Sequence, residues 1–507
     1  MSATASTTAT ARRATSATAE SHRAPRLVTT APRARTTLRR ATLALLCATL
    51  ALSCSDAGSD RPPNVVVFLT DDQGYGDVAA FGATDVATPS FDRLAAGGMR
   101  LTSFYSAPTC TPSRAMLLTG AYGQRVSAPA AYYPWSNDGL APEELTLAEM
   151  LRDRGYATGL VGKWHLGHRP PFLPTRQGFD EYFGIPYSND MGRVNPLDLS
   201  IYPDLPLLDG EIVIETEPDQ SQLVRRYTER ATDFIARHAD QPFFLEIAHS
   251  MPHWPISASD RFRGTSPRGL YGDVIAEVDW SMGQVLDALA THGIDDRTLV
   301  LFVSDNGPWL VFGNHAGSAG PLREGKSTSF EGGVRVPAVV RWPGHVPAGS
   351  SSGAVLGLAD VVPTVAHLTG AKLPDDRTLD GHDAWPVLSG ENEAAFADRV
   401  WLVHRVGGLE AVRRGRWKLH LPHPYEHIVV PGVDGAPGIT EQREIGLALF
   451  DLESDLGETR DVAAEHPDVV AELQAIAEAS RDDLGDVLTG RTGSGVRPDG
   501  LWDPAAP

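Results

Sequence analysis

Asn64 to Thr70, NVVVFLT, and Thr298 to Ser304, TLVLFVS, are continuous β-branched and apolar runs, and each stops abruptly at polar residues, Asp71-Asp72 after the first and Asp305-Asn306 after the second. A run without polar alternation is a strand buried on both faces, which calls for a parallel sheet covered by helices on either side. Between the two runs, helical patterns over Leu145–Asp153, Leu223–His238 and Tyr271–His292 alternate with short strands over Thr158–Val161 and Phe243–Ile247. The alternation predicts an α/β fold with a largely parallel central sheet sandwiched by helices. Ligands in such folds gather at the carboxyl ends of the strands.

The texture changes near residue 395. RVWLVHRVGGLEAVRRGRWKLHL and LALFDLES read as antiparallel strands with glycine turns, and Asp468–Ala479 as a closing helix. The expected organisation is a leader over 1–60, a catalytic domain over 61–395, a small C-terminal subdomain of antiparallel sheet plus helix over 396–488, and a loose tail over 489–507.

Residues 1–40 are rich in Ala, Thr, Ser and Arg, and Arg39-Arg40 lead into Ala41–Leu52, an apolar run too short to span a bilayer, followed by SCSDAGSD. A basic segment, a short apolar run and a small-residue exit read as an export signal. Ser53-Cys54 resembles a bacterial lipoprotein cleavage site, so two fates stand open: lipid anchoring at Cys54 or simple removal of the leader. Either makes this an exported bacterial protein, periplasmic or held at the membrane as a lipoprotein. The formal charge is −20, with +5 on residues 1–60 and therefore −25 on the remainder. That excludes a basic footprint for nucleic acid. An anionic substrate would have to be held by a local cluster of cations.

With Cys47 and Cys54 in the leader, Cys110 has no intramolecular disulfide partner. A buried inert thiol is one reading, but Thr, Pro, Ser and Arg around it, in TCTPSRAMLLTG, do not make an apolar pocket. Asp71, Asp72, Asp305 and Asn306 are hard oxygen donors suited to Ca²⁺ or Mg²⁺ and not zinc. Taken singly, each pair is more often a turn former or a helix cap than a metal ligand. Two such ends in one parallel sheet favour a metal. Cations also follow strands or sit in glycine-rich loops: Arg114, then Lys163 and His165 in GYATGLVGKWHLG, His249 and His253 in HSMPHWP, and Lys326 in REGKSTSFEGG. One cation centre, several positive side chains and a potential nucleophile make a site for an ester of a tetrahedral oxyanion. A cysteine-dependent tyrosine phosphatase needs Arg six positions after the cysteine, where this chain has Met116.

CTPSR followed by AMLLTG resembles the maturation signature of the type I, formylglycine-dependent sulfatases, and GYATGLVGKWHLG resembles their second signature. RPPNVVVFLTDDQGYGD, SDNGPW and GKSTSFEGGVRVPAVVRWPG fit the same family in order, and QGFDEYFGIPYSNDMG is similar to its arylsulfatase A and N-acetylgalactosamine-6-sulfatase branch. The resemblance runs from about Arg61 to Ala479. It implies the alkaline phosphatase-like fold and hydrolysis of an aryl or carbohydrate sulfate ester to an alcohol or phenol plus inorganic sulfate. It further implies that a formylglycine-generating enzyme oxidises Cys110, which stands alone because it is consumed. One hydroxyl of the hydrated aldehyde attacks sulfur and expels the alcohol; the second loses its proton, the C–O bond breaks and sulfate leaves. By the same resemblance, Asp71, Asp72, Asp305, Asn306 and the modified residue 110 would hold one Ca²⁺. Arg114 and Lys163 would stabilise the oxygens of residue 110, His165 would be the base for its second hydroxyl, and His253 and Lys326 would bind sulfate and assist the leaving oxygen. Ser188 would contact sulfate. His249 matches no catalytic position, and Arg323 stands where relatives in that branch have a cysteine.

Two other functions stand beside this one. Phosphonate monoester or phosphodiester hydrolysis, known in the same superfamily, would show as a preference for a phosphate diester over the matched aryl sulfate. A noncatalytic protein binding sulfated glycans would keep binding, without turnover, after Cys110→Ala. Loops around Tyr132–Trp135, Asn195–Asp209 and Trp309–His315 read either as specificity loops or as packing of the rim.

Overall fold

A computed structural model describes residues 61–193, 195, 197 and 201–505, with Leu27 alone before them. The expected export signal and Cys54 lie outside the described residues, and among those described no helix is long and apolar enough to cross a membrane.

The two apolar runs form adjacent parallel strands at the centre of a ten-stranded sheet, in register from Asn64 opposite Thr298 to Thr70 opposite Ser304. Every residue of both is buried, and because strand side chains alternate, each strand feeds two cores. Val66, Phe68, Val300 and Phe302 pack with Tyr227, Phe234, Val278 and Met282, from the helices Leu223–His238 and Gly269–Thr291. Val65, Val67, Leu299 and Leu301 pack on the other face with Met116, Leu117, Leu151 and Val362, from the helices Cys110–Thr119, Leu147–Asp153 and Val361–Thr369.

Phe243–Ala248, Ala157–Gly162 and Glu181–Gly184 continue the parallel centre on one side. The sheet is mixed at its margins: Ala338–Arg341 pairs antiparallel with Thr298–Ser304 and in turn with Met99–Leu101 on one side, and the hairpin Pro206–Asp209 with Ile212–Thr216 adds antiparallel pairs on the other. A hairpin needs only a tight turn, here Gly210-Glu211, whereas parallel neighbours need a long crossover. Predicted helices recur within a few residues. The one expected from Leu145 starts at Leu147 because Thr146 caps it: Thr146 Oγ1 accepts from Glu149 N at 3.1 Å, and Glu149 accepts from Thr146 N at 2.9 Å.

Toward the C-terminus, Val400–Arg405, Gly408–Arg414, Trp417–His420 and Ala448–Asp451 form an antiparallel sheet, backed by a helix over Pro467–Leu484, longer than the predicted Asp468–Ala479. A hairpin of His423–Val430 with Ile439–Ile445 was not visible in the sequence. Its tip reaches the loop at Val311, whose carbonyl accepts from Gly432 N at 3.0 Å and Gly438 N at 2.7 Å. The residues expected to trail loosely are fastened instead: Gly500–Leu501 pairs with Asp138–Gly139, and Arg497 binds Glu144 at 2.6 Å. Partners more than 350 positions apart leave no local sequence signal.

A buried charge cluster joins the second sheet to the segment after Lys326. Lys418 Nζ lies 2.9 Å from both Glu331 Oε1 and Glu458 Oε1, His420 Nε2 lies 2.8 Å from Glu458, and Tyr105 donates to Glu331 at 2.6 Å. Arg323 ties the same segment down through Glu458 O (2.8 Å) and Tyr425 (3.2 Å), with its guanidinium 4.0 Å from the Phe330 ring centroid. Burial opposes ionisation of Glu331, but Lys418, Arg413 and Arg335 outweigh it and bring its carboxyl from 4.5 down to about 2. The stability from that depressed carboxyl is complete above about pH 4.5 and is lost as pH falls toward 2. Lys418→Met, which leaves two buried carboxylates facing one another, is expected to cost about 3–5 kcal/mol. A thermal midpoint equal to that of the parent would show that these carboxylates do not depend on Lys418.

Candidate active site

The carboxyl ends of the two central strands bring Asp71, Asp72, Asp305 and Asn306 together, all buried. Asp72 turns the chain out of its strand with φ of 64° and His165 has the same φ, a left-handed conformation uncommon for residues with a Cβ. Cys110 is the first residue of the helix Cys110–Thr119, so Arg114, four positions on, shares its face. The Cys110 thiol donates to Asp71 Oδ1 at 3.5 Å.

Two sets of cations flank the carboxylates. On one side Arg114 donates to Asp305 Oδ2 through Nε (3.1 Å) and Nη2 (2.8 Å), approaches Asp71 at 3.4 Å, and is anchored by Nη1 to Lys163 O at 2.7 Å. Lys163 pairs with Asp71 and donates to Ser188 Oγ at 3.1 Å. On the other side Lys326 Nζ lies 2.6 Å from Asp72 Oδ1, and His253 Nε2 lies 3.6 Å from Asp72 Oδ2. Lys326 also sits 4.6 Å from the Trp309 ring centroid. His165 is held by Tyr132 O, 3.1 Å from Nε2, and its Nδ1 has no partner.

Burial sets the electrostatics. It opposes ionisation of Asp71, yet Lys163, His253, Arg114 and Lys326 together hold that carboxyl well below the usual range. Asp72 is pushed up to about 7 by burial, against Lys326, with Asp71 and Asp305 adding to the rise. Burial also raises Cys110, helped by Asp305 and Asp71, and depresses His165, helped by Lys163, and His253, helped by Lys326. Asp71, Asp72, Cys110 and His253 offer ligand atoms all within 4.8 Å of one another. Asp72 Oδ2 and Asn306 Oδ1 are buried without a hydrogen-bond partner, a costly arrangement that a bound cation would relieve. Hard oxygen donors of this kind fit Ca²⁺ or Mg²⁺.

All the residues singled out in the sequence as catalytic, substrate-binding or metal-ligating therefore converge on one buried cluster, Ser188 included. His249 is elsewhere: its Nε2 meets Ser281 Oγ at 2.9 Å and its ring packs on Phe68. Sequence reasoning passed over Asp190, buried beside Ser188 with Oδ1 unpartnered, and Gln73, whose buried amide has neither atom paired. The signal was there in PYSND and DDQG, but each reads as loop without the burial.

Carboxylates and an amide ringed by Arg114, Lys163, Lys326 and two histidines, at the carboxyl edge of a parallel sheet, define a hydrolase for esters of a tetrahedral oxyanion. The sulfatase family model matches residues 63–371. The mouse N-acetylgalactosamine-6-sulfatase (Mus musculus) is 42% identical over 407 residues, covering 75% of this chain and 76% of that protein. Arylsulfatase A from Homo sapiens is 38% identical over 447 residues, 82% of this chain and 87% of its own. Among solved structures, Ps i-CgsB in complex with k-i-k-neocarrahexaose superposes with a TM-score of 0.70 at 30% identity, over 83% of this chain and 93% of that one. The chain belongs to the sulfatase family, within the alkaline phosphatase superfamily, and is a sulfuric ester hydrolase.

Proposed function

We propose that the chain cleaves a carbohydrate sulfate ester with a formylglycine made from Cys110 and one Ca²⁺ held by Asp71, Asp72, Asp305, Asn306 and residue 110. The observation that carries this reading is the position of Cys110, buried 3.5 Å from Asp71 between two sets of cations. The unpartnered oxygens of Asp72 and Asn306 support the metal assignment. When bound, a divalent cation there polarises the sulfate and favours ionisation of the attacking hydroxyl. The hydrated aldehyde supplies one hydroxyl to attack sulfur and a second whose deprotonation releases sulfate.

The chain's own side chains do the rest. Arg114, clamped to Asp305 and Lys163 O, and Lys163, fastened to Asp71, stabilise negative charge on the oxygens of residue 110. His165 takes the proton of the second hydroxyl through its unpartnered Nδ1, while Tyr132 O fixes the ring through Nε2. Lys326 and His253, on the Asp72 side, bind sulfate, and they assist the leaving oxygen. Ser188, oriented by Lys163, contacts sulfate. A sulfated glycan as substrate is supported by the names of the relatives, an N-acetylgalactosamine-6-sulfatase and a complex with k-i-k-neocarrahexaose.

We further assign catalysis to residues 61–395 and support of the Lys326 segment to 396–488, on the strength of the Lys418 cluster. Export by residues 1–60, with anchoring at Cys54 or without it, and maturation by a formylglycine-generating enzyme complete the proposal. Its test is turnover of p-nitrophenyl sulfate beside a matched aryl phosphate diester, with and without chelator. Sulfate turnover that requires calcium is expected. A dominant phosphodiesterase activity, or full activity of chelated, metal-free protein, would contradict it.

A further inference from the structure

We propose that Tyr133, Trp135 and Tyr202 form a stacking subsite beside the sulfate pocket, which receives a pyranose ring adjoining the sulfated one. This rests on the reading of the Cys110 pocket as a site for carbohydrate sulfate. The Tyr133 and Trp135 rings lie 4.9 Å apart with 2° between their planes, and Trp135 and Tyr202 lie 5.6 Å apart with 18°. The stack is open to solvent, with Trp135 54% and Tyr133 39% exposed. Aromatic residues that merely fill a rim bury their faces against the core. Tyr133 and Trp135 lean on one another instead and belong to no buried apolar cluster, while Tyr202 packs against the core and backs the stack.

Two links join the stack to the pocket. Tyr132, directly before Tyr133, is buried and gives its carbonyl to His165 Nε2 at 3.1 Å. Tyr187, directly before Ser188, donates its hydroxyl to Asp204 O at 3.5 Å, two residues past Tyr202. The loop is also fixed by Ser136, which accepts from Tyr133 N at 3.1 Å and, through its carbonyl, from Arg169 Nε at 3.2 Å. Parallel, partly exposed rings in a loop tied to His165 suit a ligand with a flat apolar face and a polar edge. A pyranose has both: its axial C–H groups meet the ring faces while its hydroxyls stay in water. Large, stiff aromatic side chains provide this contact at small entropic cost.

The test compares kcat/KM for N-acetylgalactosamine 6-sulfate and for a tetrasaccharide ending in that residue, with p-nitrophenyl sulfate run in parallel. In the parent the tetrasaccharide is expected to be favoured about tenfold, mainly through KM. Trp135→Ala is expected to bring that ratio to about one and Trp135→Phe to keep most of it. An unchanged melting midpoint would show that the variants fold. Equal values for both sugars in the parent, or an advantage intact in Trp135→Ala, overturns the subsite. A parent that cleaves the aryl sulfate and neither sugar overturns the carbohydrate reading and the subsite with it. A parent that carries the aldehyde and cleaves none of the three overturns the pocket itself.

Discussion

Asp305→Ala is expected to abolish calcium binding and to lower kcat/KM for an aryl sulfate by about a thousandfold or more, because in the proposed site it removes a metal oxygen and the anchor of Arg114 together. Asp305 Oδ2 receives both Arg114 Nε and Nη2, and its Oδ1 receives the backbone N–H of Asp72 at 3.3 Å. Without it, Arg114 keeps the looser contact to Asp71 at 3.4 Å and the bond to Lys163 O. Breaking a buried ion pair from one side costs about 3–5 kcal/mol, so the melting midpoint is expected to fall as well. Asp305→Asn, which keeps the size and one acceptor oxygen, separates the two effects: it should hold the fold better than Ala while still losing calcium. Elemental analysis and steady-state kinetics on both variants provide the check. Full metal content with parental turnover would remove Asp305 from the site.

Lys326→Ala comes next in size, with an expected loss of about a hundred- to a thousandfold in kcat/KM. Lys326 is 2.6 Å from Asp72 and stands over the Trp309 ring, on the side of the pocket opposite the Arg114 and Lys163 pairings. In its proposed role Lys326 binds sulfate and also steadies the departing oxygen, acting in the ground state and the transition state alike, so KM should rise and kcat should fall. Arginine is not expected to restore activity, since its planar fork replaces a compact ammonium that already fits between Asp72 and Trp309. A rise in KM alone, with kcat unchanged, would leave Lys326 as a sulfate binder without a part in leaving-group departure.

The central strands and their helices were legible because burial on both faces removes polar alternation and burial on one face imposes a helical period. The same strands made the metal-site candidates legible: Asp71, Asp72, Asp305 and Asn306 are polar exactly where the apolar runs stop. Cys110 and Arg114 were linked by the family resemblance, and the helix Cys110–Thr119 supplies the reason, since positions four apart share a face. Elsewhere the deciding contacts are long-range. Lys418 in RGRWKLHL reads as a solvent-facing residue of a strand, yet it is wholly buried because Glu331 and Glu458 meet it there. The pairing of Gly500–Leu501 with Asp138–Gly139 has no local signature either. The hairpin from His423 to Ile445 is mostly exposed and polar along its second strand, so its pattern resembles a loop. Tyr133 and Trp135 are neighbours in a loop, but nothing near them announces Tyr202.

The most direct measurement is hydrolysis of p-nitrophenyl sulfate by the protein coexpressed with a formylglycine-generating enzyme, beside its Cys110→Ala variant, with the residue-110 peptide weighed by mass spectrometry. Calcium-dependent turnover in the parent, an aldehyde at position 110 and no turnover in the variant are the predicted results. Equal turnover in both proteins, or none in a parent that carries the aldehyde and its calcium, would contradict formylglycine chemistry at Cys110.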